Sequence, residues 1–165
     1  MSGASGLGIQ ISRIRLPIRG LEELRAAVQA EGYNFMERLA NDWQSGANRF
    51  DAPGEMLCGH LENEFLVAAG GLNRDPFAGS AETGRIRRVY VRPDWRAKGI
   101  GTALVSALIR EARRSFSCLR LRAENPGATR LYERLGFEPI TDPRATHILI
   151  FDTVQEASAE DHGPL

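Results

Sequence analysis

Residues 89–109, VYVRPDWRAKGIGTALVSALI, change character halfway along. Tyrosine and β-branched residues come first, then a proline and a cluster of charges, then two glycines around one isoleucine, then apolar residues at helical spacing. A strand, a bare glycine turn and a helix in that order leave unpaired N–H groups and the positive end of a helix dipole in one place. A phosphate group fits such a place, and glycines at 99 and 101 keep side-chain carbon away from it. Thr102 adds a hydroxyl next along the chain, while Arg96 and Lys98 bring positive charge. Two phosphate-loop patterns fail: Leu104 stands where a dinucleotide fingerprint needs its third glycine, and no lysine follows Gly101 as a nucleoside triphosphate loop requires.

With 165 residues the chain suits one domain with a full core. Lys plus Arg and Asp plus Glu stand at 21 each, so no basic excess exists to hold nucleic acid by its phosphates. The charge is patterned all the same: Lys98 is the single lysine, and arginines gather at residues 85–96 and 110–122. No apolar run is long enough to cross a bilayer, and MSGASGLG lacks the charged and apolar regions of a signal peptide, so no membrane partner and a cytoplasmic location are expected. Cys58 and Cys118 sit in apolar runs without metal-ligand spacing and read as buried thiols; no metal site is expected.

Residues 9–15 alternate as a strand, and LEELRAAVQAEG places Leu21, Leu24 and Val28 on one helical face. Phe35, Leu39 and Trp43 share a side of a second helix, followed by EMLCGHL and EFLVAAGGL as a hairpin around Glu62 and Asn63. Residues 85–91 read as a strand, 99–114 as a helix, CLRLRA as a strand, 125–135 as a helix stopped at Gly136, and 137–140 with HILIFDTV as a closing pair of strands. The order is β-α-α-β-β-β-α-β-α-β-β, a mixed α/β (α+β) arrangement. Residues 9–154 form the domain, and residues 1–8 and 155–165 are expected to be flexible tails.

RRVYVRPDWRAKGIGTALVSALI followed by LRAENPGATRLYERLGFEPI resembles the GCN5-related N-acetyltransferase (GNAT) family. The first stretch is similar to the family's Arg/Gln-x-x-Gly-x-Gly/Ala loop, and the second to its Asn-x-x-Ala-x-x-x-Tyr-x-x-x-Gly-Phe segment, met by Asn125, Ala128, Tyr132, Gly136 and Phe137. The resemblance implies a single domain with a mostly antiparallel sheet flanked by helices. It also implies acetyl-CoA as cosubstrate and direct transfer of acetyl to an amine of a small molecule or peptide. A homodimer is an arrangement the family often adopts. The pyrophosphate loop falls on Arg96, Ala97, Lys98, Gly99, Ile100, Gly101 and Thr102, the pantetheine strand on Val89, Tyr90 and Val91, and further coenzyme contacts on Asn125 and Ala128. Arg134 has two readings, a partner for the coenzyme's ribose phosphate or a surface ion pair.

Acetyl transfer needs an unprotonated amine, a donor for the developing oxyanion and a proton for the departing thiolate. The resemblance makes Tyr132 the proton donor and the N–H at Val91, or its neighbour, the oxyanion partner. Many relatives carry a glutamate in the strand before the loop, where this chain has GRIRRVYV. Either Glu55 or Glu82 acts through water, or the acceptor arrives deprotonated. Simple alternation places Arg88 on the face of Ile86 and Tyr90, with Arg85 and Arg87 opposite. Arg88 is then a candidate clamp for an acceptor carboxylate, against the alternative that the strand arginines coat a solvated edge. His60 and His147 read as structural, and Phe35 and Trp43 as helix packing that borders the acceptor. Two other readings stay open: a non-catalytic acyl-CoA-binding regulatory module, and a transferase that uses a longer acyl-CoA.

Overall fold

The computed structural model describes residues 8–152; apart from Gly8, the expected tails lie outside the described residues. Strands β1 (Ser12–Arg13), β2 (Met56–Glu62), β3 (Phe65–Arg74), β4 (Thr83–Val91), β5 (Cys118–Leu121), β6 (Glu138–Pro139) and β7 (His147–Ile150) alternate with helices α1 (Leu21–Ala30), α2 (Phe35–Ser45), α3 (Ile100–Ala112) and α4 (Pro126–Arg134). This is the element order read from the sequence, with a short 3-10 turn at Pro93–Trp95 added. The strands form one sheet in the order β1-β2-β3-β4-β5-β7-β6. All pairs are antiparallel except β4 with β5.

Each face of the sheet carries a separate core. On one face α3 buries Leu104, Val105 and Leu108 against Leu72, Ile86 and Leu119, joined by Tyr132 and Phe137. Each such aliphatic side chain removed from water contributes about 1.5–3 kcal/mol. On the other face Leu24 and Val28 of α1 and Met36 and Leu39 of α2 pack with Phe50, Leu66 and Tyr90. β3 runs between the two cores, buried from Leu66 to Asn73, which explains its nearly unbroken apolar sequence.

Two local boundaries differ from the sequence reading. β1 forms ladder pairs only at Ser12↔Gly59 and Arg13↔Cys58, although the Ile14 N–H beyond it still donates to the Leu57 carbonyl of β2 at 2.9 Å. The β2–β3 turn lies at Asn63 and Glu64, one residue later than expected, with φ of 53° and 67°. Both residues are left-handed, the backbone form whose twist matches a two-residue hairpin.

The third difference matters for the site. Ala69 pairs with Tyr90, but Gly71 pairs with Arg87, so Arg88 and Val89 together oppose Gly70. Arg88 has φ of 61°, the signature of a β-bulge that adds one residue and resets the alternation. Ile86 therefore belongs to the α3 core and Tyr90 to the α1/α2 core, which overturns the common face that alternation assigned them.

Candidate active site

The parallel pairing of β4 with β5 runs from Thr83↔Cys118 to Arg85↔Arg120 and stops, while β4 continues to Val91. The two strands part there and open a cleft of about 1040 Å³. Val89, Tyr90 and Val91 line it from the strand, Arg96, Ala97, Gly99, Ile100, Gly101 and Thr102 from the turn, and Asn125, Ala128, Tyr132 and Arg134 from α4. The fold thus gathers the residues singled out in the sequence, Arg88 included, with one departure: Lys98 does not line the cleft, and its ammonium lies 5.9 Å from the centre of the Trp95 ring.

Gly99 precedes α3 with φ of 88°, and no side chain caps the helix. A left-handed residue at this position costs an L-residue about 1–2 kcal/mol, which explains the glycine. The contrast with α4 is informative. There Asn125 Oδ1 accepts the N–H of Ala128 at 2.8 Å, so that helix start is satisfied by the chain itself. The α3 N-terminus instead faces the cleft, which Arg130 and Arg134 also line, without a side-chain acceptor. Asn125 keeps only its amide Nδ2, 3.4 Å from the Tyr33 hydroxyl, to offer elsewhere. The two glycines do different work: a Cβ on Gly101 would meet Leu131 of α4 and Val91 of β4 at 3.5 and 3.8 Å, which is ordinary packing.

Arg96 is not a free charge at the turn. Its Nε donates to the Val91 carbonyl at 2.9 Å, and its terminal nitrogens donate to both Glu31 oxygens at 2.7 and 3.1 Å. The Tyr90 hydroxyl donates to the same carboxylate. These bonds, that from Arg96 foremost, hold Glu31 below the usual carboxylate range. Burial, then Glu31, pushes the Tyr90 phenol up.

Tyr132 lines the cleft with 6% of its surface exposed, its ring edge-on to Phe137 at 5.6 Å. Burial first, then the charge of Glu124, pushes its phenol above the ordinary value, so it stays protonated at neutral pH. Glu55 and Glu82, the carboxylates considered as bases, lie outside the cleft. Glu55 accepts the N–H groups of Ala52 and Arg74 instead. The cleft's acids are Glu31 and Glu124, which sequence reading missed. Glu31 ends a helix far from the loop and carries no local signal; Glu124 adjoins Asn125 within the quoted motif and is legible there by position alone.

His60 contacts the Gln10 carbonyl at 3.0 Å and Glu62 at 2.7 Å; His147 contacts Thr146 and Glu133 at 2.8 and 2.9 Å. Both rings are buried and occupied at each nitrogen. Phe35 lines the cleft and Trp43 does not. Beyond the bulge the cleft is walled by Arg38 of α2 and by Arg85, Arg87 and Arg88 of β4. Arg85 is spoken for by Asp75 and the Arg144 carbonyl.

A model of the acetyltransferase (GNAT) family matches residues 21–137. A crystal structure of a protein from Exiguobacterium sp. 255-15, assigned as an acetyltransferase, superposes with a TM-score of 0.78 and 31% identity over 92% of this chain and 97% of that one. A GNAT-family acetyltransferase from Brucella melitensis, solved in complex with acetyl-CoA, shares the fold with a TM-score of 0.66 at 15% identity, over 87% of this chain and 88% of its own. An uncharacterised N-acetyltransferase of Methanocaldococcus jannaschii is 43% identical over 60 residues, 34% of this chain and 26% of that protein, so the match spans about a quarter of that relative. The chain belongs to the GNAT acetyltransferase family.

Proposed function

We propose that the protein is an N-acetyltransferase that moves acetyl directly from acetyl-CoA to the amine of a small, acid-bearing acceptor. The observation that carries this reading is the meeting, in one cleft between parted strands, of an uncapped helix N-terminus and a buried, protonated tyrosine. The residues fit the donor. The bare start of α3, with Arg130 and Arg134 alongside, suits a pyrophosphate, and β4 beyond Arg85 has no neighbour on the β5 side, which leaves a strand edge for an amide-bearing arm. The relative solved with acetyl-CoA supports the same assignment.

Acetyl-CoA supplies the acetyl group as a thioester. The bulged segment of β4 offers backbone N–H at Val89 or Val91 to the carbonyl oxygen as charge develops there. The acceptor's nitrogen lone pair forms the new C–N bond, the C–S bond breaks, the Tyr132 hydroxyl protonates the leaving sulfur, and the proton shed by the newly acylated nitrogen restores the phenol through water. Glu31 is committed to Arg96 and Tyr90, so it is a weak base. The acceptor nitrogen therefore loses its proton to water or to Glu124, the cleft's other carboxylate, and an amine whose pKa lies below that of a lysine side chain gives it up more readily. Arg88 holds an acidic group of the acceptor.

Coenzyme A release from acetyl-CoA across a panel of amines that differ in charge tests this. Release confined to acid-bearing amines supports the reading. Tight acetyl-CoA binding with no release by any amine sinks it in favour of a binding module, and faster release from longer acyl-CoA thioesters reassigns the donor.

A further inference from the structure

Arg87 and Arg88 are consecutive, and in a regular strand their side chains would leave opposite faces. The bulge removes that separation. Arg87 pairs with Gly71, whose missing Cβ would point at the Phe50 ring, so Arg87 is on the α2 side of the sheet. Arg88, at φ of 61°, places a terminal nitrogen 3.6 Å from Asp42 of α2, so it is on that side too. Arg38 of α2 lines the same part of the cleft.

These three guanidinium groups are poorly matched by the chain. The Arg88 side chain is 8% exposed and lines the cleft, and its buried Nε has no hydrogen-bond partner among the described residues. The guanidinium groups of Arg87 and Arg38 make no hydrogen bond or ion pair with any described residue. Asp42 is the carboxylate at hand; the charge of Asp75 also reaches Arg87, but Asp75 is paired with Arg85 and Arg120 at 3.5 and 3.2 Å. Burial and the neighbouring Arg87 push Arg88 down to about 10, the direction expected of a cation short of counter-charge. A buried cation with one long ion pair and an unpaired Nε, in a left-handed backbone, is costly in the free protein, and such costs persist where a ligand meets them.

We infer that Arg38, Arg87 and Arg88 form a site for a dianion, so that the acceptor amine carries a head group of two negative charges, a phosphate monoester or a dicarboxylate. Three guanidinium groups against one carboxylate leave a surplus of two positive charges, and planar forks suit both kinds of oxyanion. The site adjoins Val89–Val91, which brings a bound acceptor to the donor strand. The assignment rests on the acetyltransferase reading.

The test uses the full chain saturated with coenzyme A, which fills the phosphate-binding turn. Inorganic phosphate, succinate and acetate are titrated at constant ionic strength in chloride, and the rise in Tm is followed. The dianions are expected to bind at least about tenfold more tightly than acetate, and Arg87→Gln or Arg38→Gln to lose about tenfold of that affinity. Stronger binding of phosphate marks a phosphate ester; stronger binding of succinate marks a dicarboxylate. Equal shifts with acetate, or shifts unchanged in both variants, overturn the assignment. Arg87 and Arg38 are chosen because Arg88→Gln risks the fold. Coenzyme A affinity measured in the same samples separates the two ideas: bound coenzyme A without a dianion effect sinks the dianion site alone, and no coenzyme A binding sinks the transferase reading.

Discussion

Arg96 grips Glu31 with both terminal nitrogens, at 2.7 and 3.1 Å, and so ties the end of α1 to the loop that precedes α3 across 65 positions of sequence. Glu31 thereby competes for a cation of the loop proposed to hold the donor. Glu31→Gln should tighten acetyl-CoA binding about threefold, a screened charge effect of roughly 0.6 kcal/mol. Calorimetric titration of the parent and the variant checks this.

The same pair sets a pH dependence. Arg96 holds Glu31 below its ordinary 4.5, so the carboxylate's contribution to stability is present above that value and disappears as pH falls through the lowered one. Both side chains are more than a third exposed, so the contribution is at most about 1 kcal/mol. Melting temperatures of the parent and Glu31→Gln should differ slightly near neutral pH and converge in acid. A gap that widens on acidification would contradict the pairing.

Tyr132→Phe should lower kcat by about a hundredfold and leave the Kd for acetyl-CoA within about twofold, because the ring and its packing on Phe137 survive. The raised phenol pKa means the proton is in place throughout the neutral and mildly alkaline range. The ratio of parent to variant kcat should accordingly stay flat from about pH 6 to about pH 9. A ratio that collapses on the alkaline side would show that the phenol ionises there.

The glycines of the turn should separate in their response. Gly99→Ala forces a left-handed alanine and should cost about 1–2 kcal/mol. Gly101→Ala meets nothing closer than 3.5 Å inside a helix and should be neutral or stabilise by up to about 1 kcal/mol. Gly71→Ala is harsher, since its Cβ would fall 2.4 Å from the buried Phe50 ring, and overpacking of this kind costs about 1–3 kcal/mol or more. Urea unfolding of the three variants orders them.

Local pattern carried most of the fold. Leu21, Leu24 and Val28 announced α1 by spacing, and all three are buried. The strand, turn and helix around Gly99 were legible because each piece has its own periodicity or a glycine that only one backbone form explains. What escaped was whatever depends on register. The bulge at Arg88 has no glycine to mark it, so alternation counted straight through and put Ile86 and Tyr90 on one face. Partners at long sequence separation escaped as well: nothing in QAEG tells that Glu31 will neutralise Arg96, or that Asn125 will spend its oxygen on capping α4.

The extra residue in β4 acts as a phase shift in a two-beat repeat. Upstream of it the strand delivers arginines to one side of the sheet, and downstream it delivers Val89 and Val91 to the other core, so a single chain segment serves two ends of a cleft with unlike demands. Pairing these same residues without the bulge would restore a regular beat and drive the Arg88 guanidinium into the oily layer under α3. Residues 87 and 88 can therefore change identity to suit a new acceptor without reaching that layer, as long as the bulge is kept.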